Sequence, residues 1–220
     1  MKYYPIQLNV KDRRCLVVGG GSVGARKAAT LLECGARVTV VSPDAREKIA
    51  DMAQNHLLVL KKRPYRESDL NGVFLVMGAT DHEDLNRKIH ADASGRGILC
   101  NIADRPELCD FILPAIVKKG DLIISISTSG KSPAFARHLK EEMEKTVGDE
   151  TAAFLELMGA VRKKLLSQAH EPEAHKPLFN RLISGGLPDM LRRNDIPAVN
   201  ALLKEVLGEG YEWESLMTEP

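Results

Sequence analysis

Two short stretches of this chain combine residue types that can bind a charged ligand. Gly19-Gly20-Gly21-Ser22-Val23-Gly24 stands between an apolar run, Cys15 to Val18, and an amphipathic stretch that begins at Ser22. The spacing is G-x-G-x-x-G. Gly19 permits a tight turn, Gly21 lets a pyrophosphate approach the backbone, and Gly24 lets a helix pack close to its strand. Ser22 and Val23 open that helix, whose first N–H groups and positive dipole end face the phosphates. The chemistry predicted is dinucleotide binding, and the alternative is a glycine-rich turn with no ligand. A second apolar run ends Val41-Ser42-Pro43-Asp44, placing Asp44 twenty positions beyond Gly24. Ser42 and Asp44 can both reach the adenosine 2′-hydroxyl. A carboxylate there repels the 2′-phosphate of NADP, whereas Arg46 attracts it, so NAD is the preferred cofactor. Ser42 also reads as the N-cap of a helix starting at Pro43, and the two roles are compatible.

Three further segments follow strand-like runs. Gly78-Ala79-Thr80-Asp81 offers small residues, Ala79 and Thr80, against which a ribose and nicotinamide can lie, or else a capped helix start at Thr80 or Asp81. Asn101-Ile102-Ala103-Asp104-Arg105-Pro106 ends in a carboxylate, Asp104, that can accept a proton from a bound ligand. Its plainer reading is a turn residue. Ser127-Thr128-Ser129-Gly130-Lys131-Ser132 precedes a helix starting at Pro133. Thr128, Ser129, Gly130 and Lys131 make either an anion pocket or a loop capped by Ser132. His56, His82, His90, His138, His170 and His175 have no metal-ligand spacing, so no metal site is assigned. Cys15, Cys34, Cys100 and Cys109 form no C-x-x-C pair. Two of them lie in apolar runs, and all four are read as reduced thiols of a cytoplasmic protein.

The elements that must position these residues follow from hydrophobic periodicity. Apolar, β-branched-rich runs at Cys15–Val18, Val38–Val41, Leu57–Leu60, Val73–Met77 and Gly97–Ile102 read as strands. Helical stretches over Ser22–Cys34, Pro43–Asn55 and Glu83–Ser94 separate most of them. That alternation predicts a doubly wound α/β domain over 1–113, with a parallel sheet covered on both faces. Over 114–148 a hairpin is expected, Ile112–Val117 and Leu122–Ser127 around Lys118-Lys119-Gly120-Asp121, then the helix from Pro133 with Phe135, Ala136, Leu139 and Met143 on one stripe. Beyond Gly148 the pattern is helical. Phe154, Met158, Val161 and Leu165 share one face, a break spans His170 to Pro177, and helices follow at Leu178–Ser184, Pro188–Arg193 and Pro197–Leu207. Residues 149–220 are thus expected to form a small helical domain.

Composition sets the limits on partners. The chain has 220 residues, with 31 Lys and Arg against 30 Asp and Glu, a net charge of +1. A near-neutral chain lacks the overall field that gathers nucleic acid or anionic membrane, so any polyanionic ligand must meet a local patch. No apolar run approaches the roughly 18 residues of a membrane span, and no signal-like segment follows Met1-Lys2-Tyr3-Tyr4-Pro5. The Arg162-Lys163-Lys164 run reads as a solvated helix face.

Taken in order, Pro5-Ile6, Arg13 to Lys27, Cys100 to Asp104, Phe111 to Ala115 and Ser127 to Pro133 resemble the siroheme synthase family. The specific resemblance is to its precorrin-2 dehydrogenase/sirohydrochlorin ferrochelatase module, over about residues 1–147. A methyltransferase module fused to some members has no counterpart in these residues. The resemblance implies a Rossmann-like domain, a dimerisation segment after Leu113 that forms a homodimer, and NAD-dependent oxidation of precorrin-2 to sirohydrochlorin in siroheme or cobalamin formation. It implies a catalytic role for Asp104 and leaves insertion of ferrous iron open, since Thr128-Ser129 stands where Ser-Gly is common. The competing class is a non-catalytic NAD(H)-sensing regulatory subunit, which binds the dinucleotide without consuming it.

Overall fold

The computed structural model describes residues 2–168 and 172–218, and the chain divides into two compact units, Met1–Leu113 and Pro114–Pro220. In the first unit, strands β1 (Arg14–Val18), β2 (Arg37–Val41), β3 (Val59–Lys61), β4 (Leu75–Gly78) and β5 (Leu99–Ile102) form one parallel sheet in the order β3-β2-β1-β4-β5. Helices α1 (Ser22–Glu33), α2 (Glu47–Gln54) and α3 (Glu83–Ser94) cover it. The strands are apolar runs because both faces are buried. Along β1, Cys15 and Val17 pack with Ala25, Ala28 and Leu31 of α1 and Ile49 of α2, while Leu16 and Val18 pack with Ile89 and Ala93 of α3. The doubly wound expectation therefore holds, with the strand order reversing beside β1.

The second unit opens with an antiparallel pair, β6 (Ala115–Lys119) and β7 (Leu122–Ile126), in which Lys119 faces Leu122. Gly120 takes a left-handed φ of 56° to close the two-residue turn. Helix α4 (Pro133–Thr146) starts where Ser132 and Pro133 predict: the Ser132 hydroxyl accepts a hydrogen bond from the Phe135 amide. Five helices follow: α5 (Glu150–Ser167), α6 (Pro172–Ser184), α7 (Leu187–Arg192), α8 (Ile196–Leu207) and α9 (Trp213–Thr218). Their core gathers Leu157, Val161, Leu165, Leu182, Leu187, Val199 and Leu203. No helix among the described residues is long and apolar enough to cross a membrane.

Two expectations are corrected, and one element has no sequence signal. Helix α2 begins at Glu47 rather than Pro43, and its N-cap is Arg46, so Ser42 does not cap it. The expected break from His170 to Pro177 is shorter: α6 runs from Pro172 with Pro177 inside it, and His170 lies outside the described residues. Helix α9 was not foreseen, because a six-residue helix is too short to show periodicity.

Between β3 and β4, a buried carboxylate organises the loop. Asp69, with its side chain 1% exposed, accepts from Lys61 at 3.0 Å, from both terminal nitrogens of Arg63 at 2.6 and 2.8 Å, and from the Arg66 amide at 3.0 Å. The Arg63 guanidinium, against the opposing cost of burial and with Lys61 and the Arg66 amide behind it, holds the Asp69 carboxyl well below the usual carboxylate range. A depressed native value adds stability above the unfolded pKa of about 3.9 and loses it as the pH falls toward the native value. Asp69→Asn should cost about 2 kcal/mol in denaturant unfolding at pH 7. The gap to the unsubstituted protein should narrow below about pH 4; a constant gap down to pH 2 contradicts the assignment.

Candidate active site

All five parallel strands end on one edge, and the segments singled out above leave the sheet there. Gly19 follows β1, Ser42 follows β2, Ala79 follows β4 and Asp104 lies two residues beyond β5. The strand order reverses beside β1, which is where ligands bind in open α/β sheets, outside the carboxyl ends of the strands. Backbone bonds lace the edge: Gly19 N donates to Val41 O, Ala79 N to Val18 O, Ala103 N to Gly78 O and Arg46 N to Gly20 O, all at 2.7–3.0 Å.

Each glycine of the loop answers a different constraint. Gly19 has φ +119°, and a Cβ there would lie 2.1 Å from the Ala79 carbonyl oxygen. At Gly20 a Cβ would lie 2.0 Å from the Asp44 carbonyl oxygen and 2.9 Å from Ser42 Oγ. At Gly24 it would lie 2.1 Å from the Gly19 carbonyl oxygen, the close helix–strand approach expected of that position. Gly21 alone opens onto nothing within 4 Å and is exposed. A phosphate can therefore approach the Gly21 backbone, and no side chain caps α1 at Ser22, Val23 and Gly24. The loop fits a pyrophosphate on this geometry.

The flanking residues divide. Ser42 is 8% exposed and packs against Gly20, whereas Pro43 and Asp44 are exposed at the rim. The Thr80 hydroxyl lies 2.9 Å from Asn86 Oδ1, and Asn86 Nδ2 donates to the Thr80 carbonyl at 2.9 Å. The N-cap of α3 is His82, so neither Thr80 nor Asp81 occupies the cap position. Asp104 is exposed, in a turn after β5, with a left-handed φ of 59°. An L-residue pays steric strain there, although aspartate tolerates it better than most. The plainer turn reading and the presentation of a carboxylate at the ligand edge are thus both met by the same residue.

Two polar residues escaped the sequence reading. Lys27 is only 9% exposed, and its Nζ donates to Asn101 Oδ1 at 2.7 Å. Burial holds the Lys27 ammonium below its ordinary value, with Cys109 and Asp104 opposing that fall and Arg26 adding to it. A signal was present: Gly24, Lys27, Ala28 and Leu31 stand at i, i+3, i+4 and i+7, so a lysine occupies the sheet-facing stripe of α1. Asn101 shows itself only through pairing, since a strand-end asparagine has no periodic signature.

In the second unit the Thr128–Lys131 loop turns several donors inward. Lys131 N donates to the Thr128 carbonyl, Ser132 N to Thr128 Oγ1 and Ser129 N to Ser127 Oγ. Ser129 and Gly130 are both left-handed, with φ of 54° and 82°. What the loop offers an anion is therefore the exposed Lys131 side chain and hydroxyls, more than a ring of amides. Among the described residues, no group of three or more His, Cys, Asp or Glu is arranged to hold a metal ion.

The open position at Gly21 gives a clean test. Its φ of −76° suits any residue, so Gly21→Asp should fold with an unchanged melting temperature. The added charge beside the phosphates should raise the dinucleotide Kd at least about a hundredfold, or about 2.7 kcal/mol. Gly24→Ala should instead lower the melting temperature, because its Cβ meets backbone. Unaltered dinucleotide affinity in folded Gly21→Asp removes the phosphate assignment.

Comparison with known proteins agrees with this geometry. A family model for NAD(P)-binding domains matches residues 6–115, and a model for the central part of sirohaem biosynthesis proteins matches residues 119–146. The siroheme synthase of Nitrosococcus oceani is 30% identical over 96% of this chain and 45% of its own length. That of Methylococcus capsulatus is 35% identical over 84% of this chain and 39% of its own length. The chain thus spans about half the length of the curated relatives it matches or less. The solved structure of SirC, a precorrin-2 dehydrogenase, shares the fold with a TM-score of 0.77 at 24% identity, covering 93% of this chain and 98% of that one. The chain belongs to the NAD(P)-binding family that its residues 6–115 match, here joined to the central segment of sirohaem biosynthesis proteins.

Proposed function

We propose that the chain is an NAD-dependent dehydrogenase that oxidises precorrin-2 to sirohydrochlorin in siroheme formation. The observation that carries the reading is the exposed Asp104 carboxylate, held in a left-handed turn on the same sheet edge as the open Gly21 backbone. The oxidation removes a hydride and a proton from the tetrapyrrole. When bound, NAD supplies the hydride acceptor. Asp104 takes the proton, which a neutral side chain at that position cannot do. The backbone at Gly21 and the uncapped start of α1 hold the pyrophosphate, while Asp44 at the end of β2 takes the adenosine ribose.

Three neighbouring charges favour NAD over NADP. Asp44 is exposed where a 2′-phosphate would lie, and Lys61 and Arg63, at and just beyond the end of the adjoining strand, are already paired with Asp69. Arg46 opposes that preference as a cation near the same rim. The substrate is a polycarboxylate, and the Lys131 ammonium with the Thr128 and Ser129 hydroxyls supplies a local attraction that the net charge of +1 does not. Burial pushes the Cys15 and Cys100 thiols up to about 11 and about 12, so they are poorly ionised and unreactive, in keeping with a structural place in the core of a chain we read as cytoplasmic.

We also propose a homodimer through the segment after Leu113. Strands β6 and β7 pair only with each other among the described strands, leaving both outer edges open. Ile116 and Ile123 are 41% and 42% exposed on one face. Such a ribbon is a pairing surface in waiting. Sedimentation at micromolar concentration should give a dimer mass, and Ile116→Asp with Ile123→Asp should give a monomer. A monomer without the substitutions refutes the dimer.

Asp104→Asn keeps the size and the left-handed tolerance of aspartate but cannot take the proton. Anaerobic turnover of precorrin-2 with NAD should fall about 10²–10⁴-fold while NAD binding stays intact. Asp104→Ala should show the same loss together with a small drop in stability from the strained turn. Near-normal turnover by Asp104→Asn returns the residue to turn-making, and NAD binding without turnover in the unsubstituted protein favours the sensor.

A further inference from the structure

Lys27 presents an energetic puzzle. A buried ammonium is costly, and an apolar side chain of similar length would fill its place on α1 without that cost. One partner is in place, Asn101 Oδ1 at 2.7 Å, and it belongs to β5 rather than to α1. Asn101 is itself 7% exposed and fully occupied: Nδ2 donates to the Phe111 carbonyl at 2.9 Å and lies 3.6 Å from Cys109 Sγ. Cys109 then reaches both sides of the catalytic turn. Its sulfur accepts from the Ile102 amide at 3.2 Å, and its thiol lies 3.2 Å from the Ile102 carbonyl and 3.1 Å from that of Arg105. Ile102 and Arg105 bracket Ala103 and Asp104. The left-handed Asp104 is therefore clasped from beneath by a chain of contacts that begins at Lys27.

The helix at the other end of that chain is the one whose N-terminus meets the phosphates. Lys27 lies five residues after Ser22, so whatever seats the pyrophosphate on α1 is mechanically tied to the turn that carries the carboxylate. We propose that Lys27 is a positioning residue for the dehydrogenation, acting through Asn101 and Cys109 to fix Asp104 relative to the phosphate-binding helix. The inference rests on the reading of Asp104 as the base. Lys27 does not itself touch the reacting atoms. A strained turn on an exposed edge relaxes unless its surroundings over-determine it, and misplacement of a base by about 1 Å costs on the order of a hundredfold in rate.

The test uses the full chain with NAD and precorrin-2. Lys27→Met should keep the NAD dissociation constant within about threefold, because the phosphate loop is untouched. Its kcat for precorrin-2 oxidation should fall about 10–100-fold, a split that loss of packing alone does not produce. In an Asp104→Asn background the same substitution should change kcat by less than about twofold, since there is no base left to position. An undiminished kcat in Lys27→Met overturns the proposal, and so does an equal loss in both backgrounds. A high kcat in Asp104→Asn alone is a different outcome: the base reading fails and takes this one with it. If Lys27→Met does not fold, Cys109→Ala carries the test by cutting the last link. It should lower kcat with NAD affinity unchanged, and an unaltered kcat overturns the proposal.

Discussion

The close approach of Gly24 to Gly19 is the constraint on which the rest of the site depends. With no Cβ at Gly24, the first turn of α1 rests directly on the carbonyl that ends β1, at a separation no side chain could occupy. That contact brings the start of α1 down onto the sheet edge, so its unpaired N–H groups face the space above the strands. Gly19 and Gly20 extend the same logic sideways, one against the Ala79 backbone after β4 and the other against the Asp44 backbone after β2. Three backbone-to-backbone contacts thereby gather the ends of β1, β2 and β4 into one rim. Enlarging any of the three glycines would open the rim, whereas a side chain at Gly21 would meet nothing within 4 Å.

Beneath that rim the interior departs from an apolar sheet core. Lys27, Ser42, Asn86 and Asn101 are all buried, and all lie at or just below the carboxyl edge. Away from the edge the strands bury Leu16, Val17, Val38, Val40 and Val76, with no polar side chain among them. Buried polar groups cost free energy unless paired, so their concentration at one end of the sheet is a local departure from the best packing. Three of the four are paired through their side chains: Asn86 with Thr80, Lys27 with Asn101, and Asn101 with Phe111 and Cys109. The pairs stiffen the segments that carry Thr80 and Asp104.

Much of this was legible in the residues, and the rest was hidden for identifiable reasons. The parallel sheet could be read because burial on both faces leaves continuous apolar runs, and α4 could be read because its Ser132-Pro133 start agrees with its periodicity. The start of α2 could not. Ser42-Pro43 has the chemistry of a helix start, but the chain bends at Pro43 and Asp44 and the Gly20 carbonyl takes the Arg46 amide, a contact between distant residues that local signals do not contain. Asp69 was hidden in the same way: among Lys61, Lys62, Arg63 and Arg66 it looks like one charge of a solvated run, and only folding puts it inside. Lys27 differs, for its place on the apolar stripe of α1 is visible in the sequence, although the neighbouring glycines carry the stronger signal. The left-handed φ of Asp104 was half legible, since its bland interpretation as a turn residue is true.

The two loops expected to meet anions use opposite physical means. At α1 the helix start carries no side-chain cap, so the donors of its first turn remain for a ligand that brings its own oxygens. At α4 the Ser132 hydroxyl takes the Phe135 amide, and Thr128 takes the amides of Lys131 and Ser132 through its carbonyl and hydroxyl. The first arrangement is a fixed cradle, which suits a small anion that must sit in one place. The second leaves a long, exposed lysine side chain on a rigid turn. A lysine is a movable point charge with no preferred plane, and it can follow anionic groups that differ in position. A fixed cradle and a movable charge are both local devices, and neither depends on the long-range field that a near-neutral chain lacks.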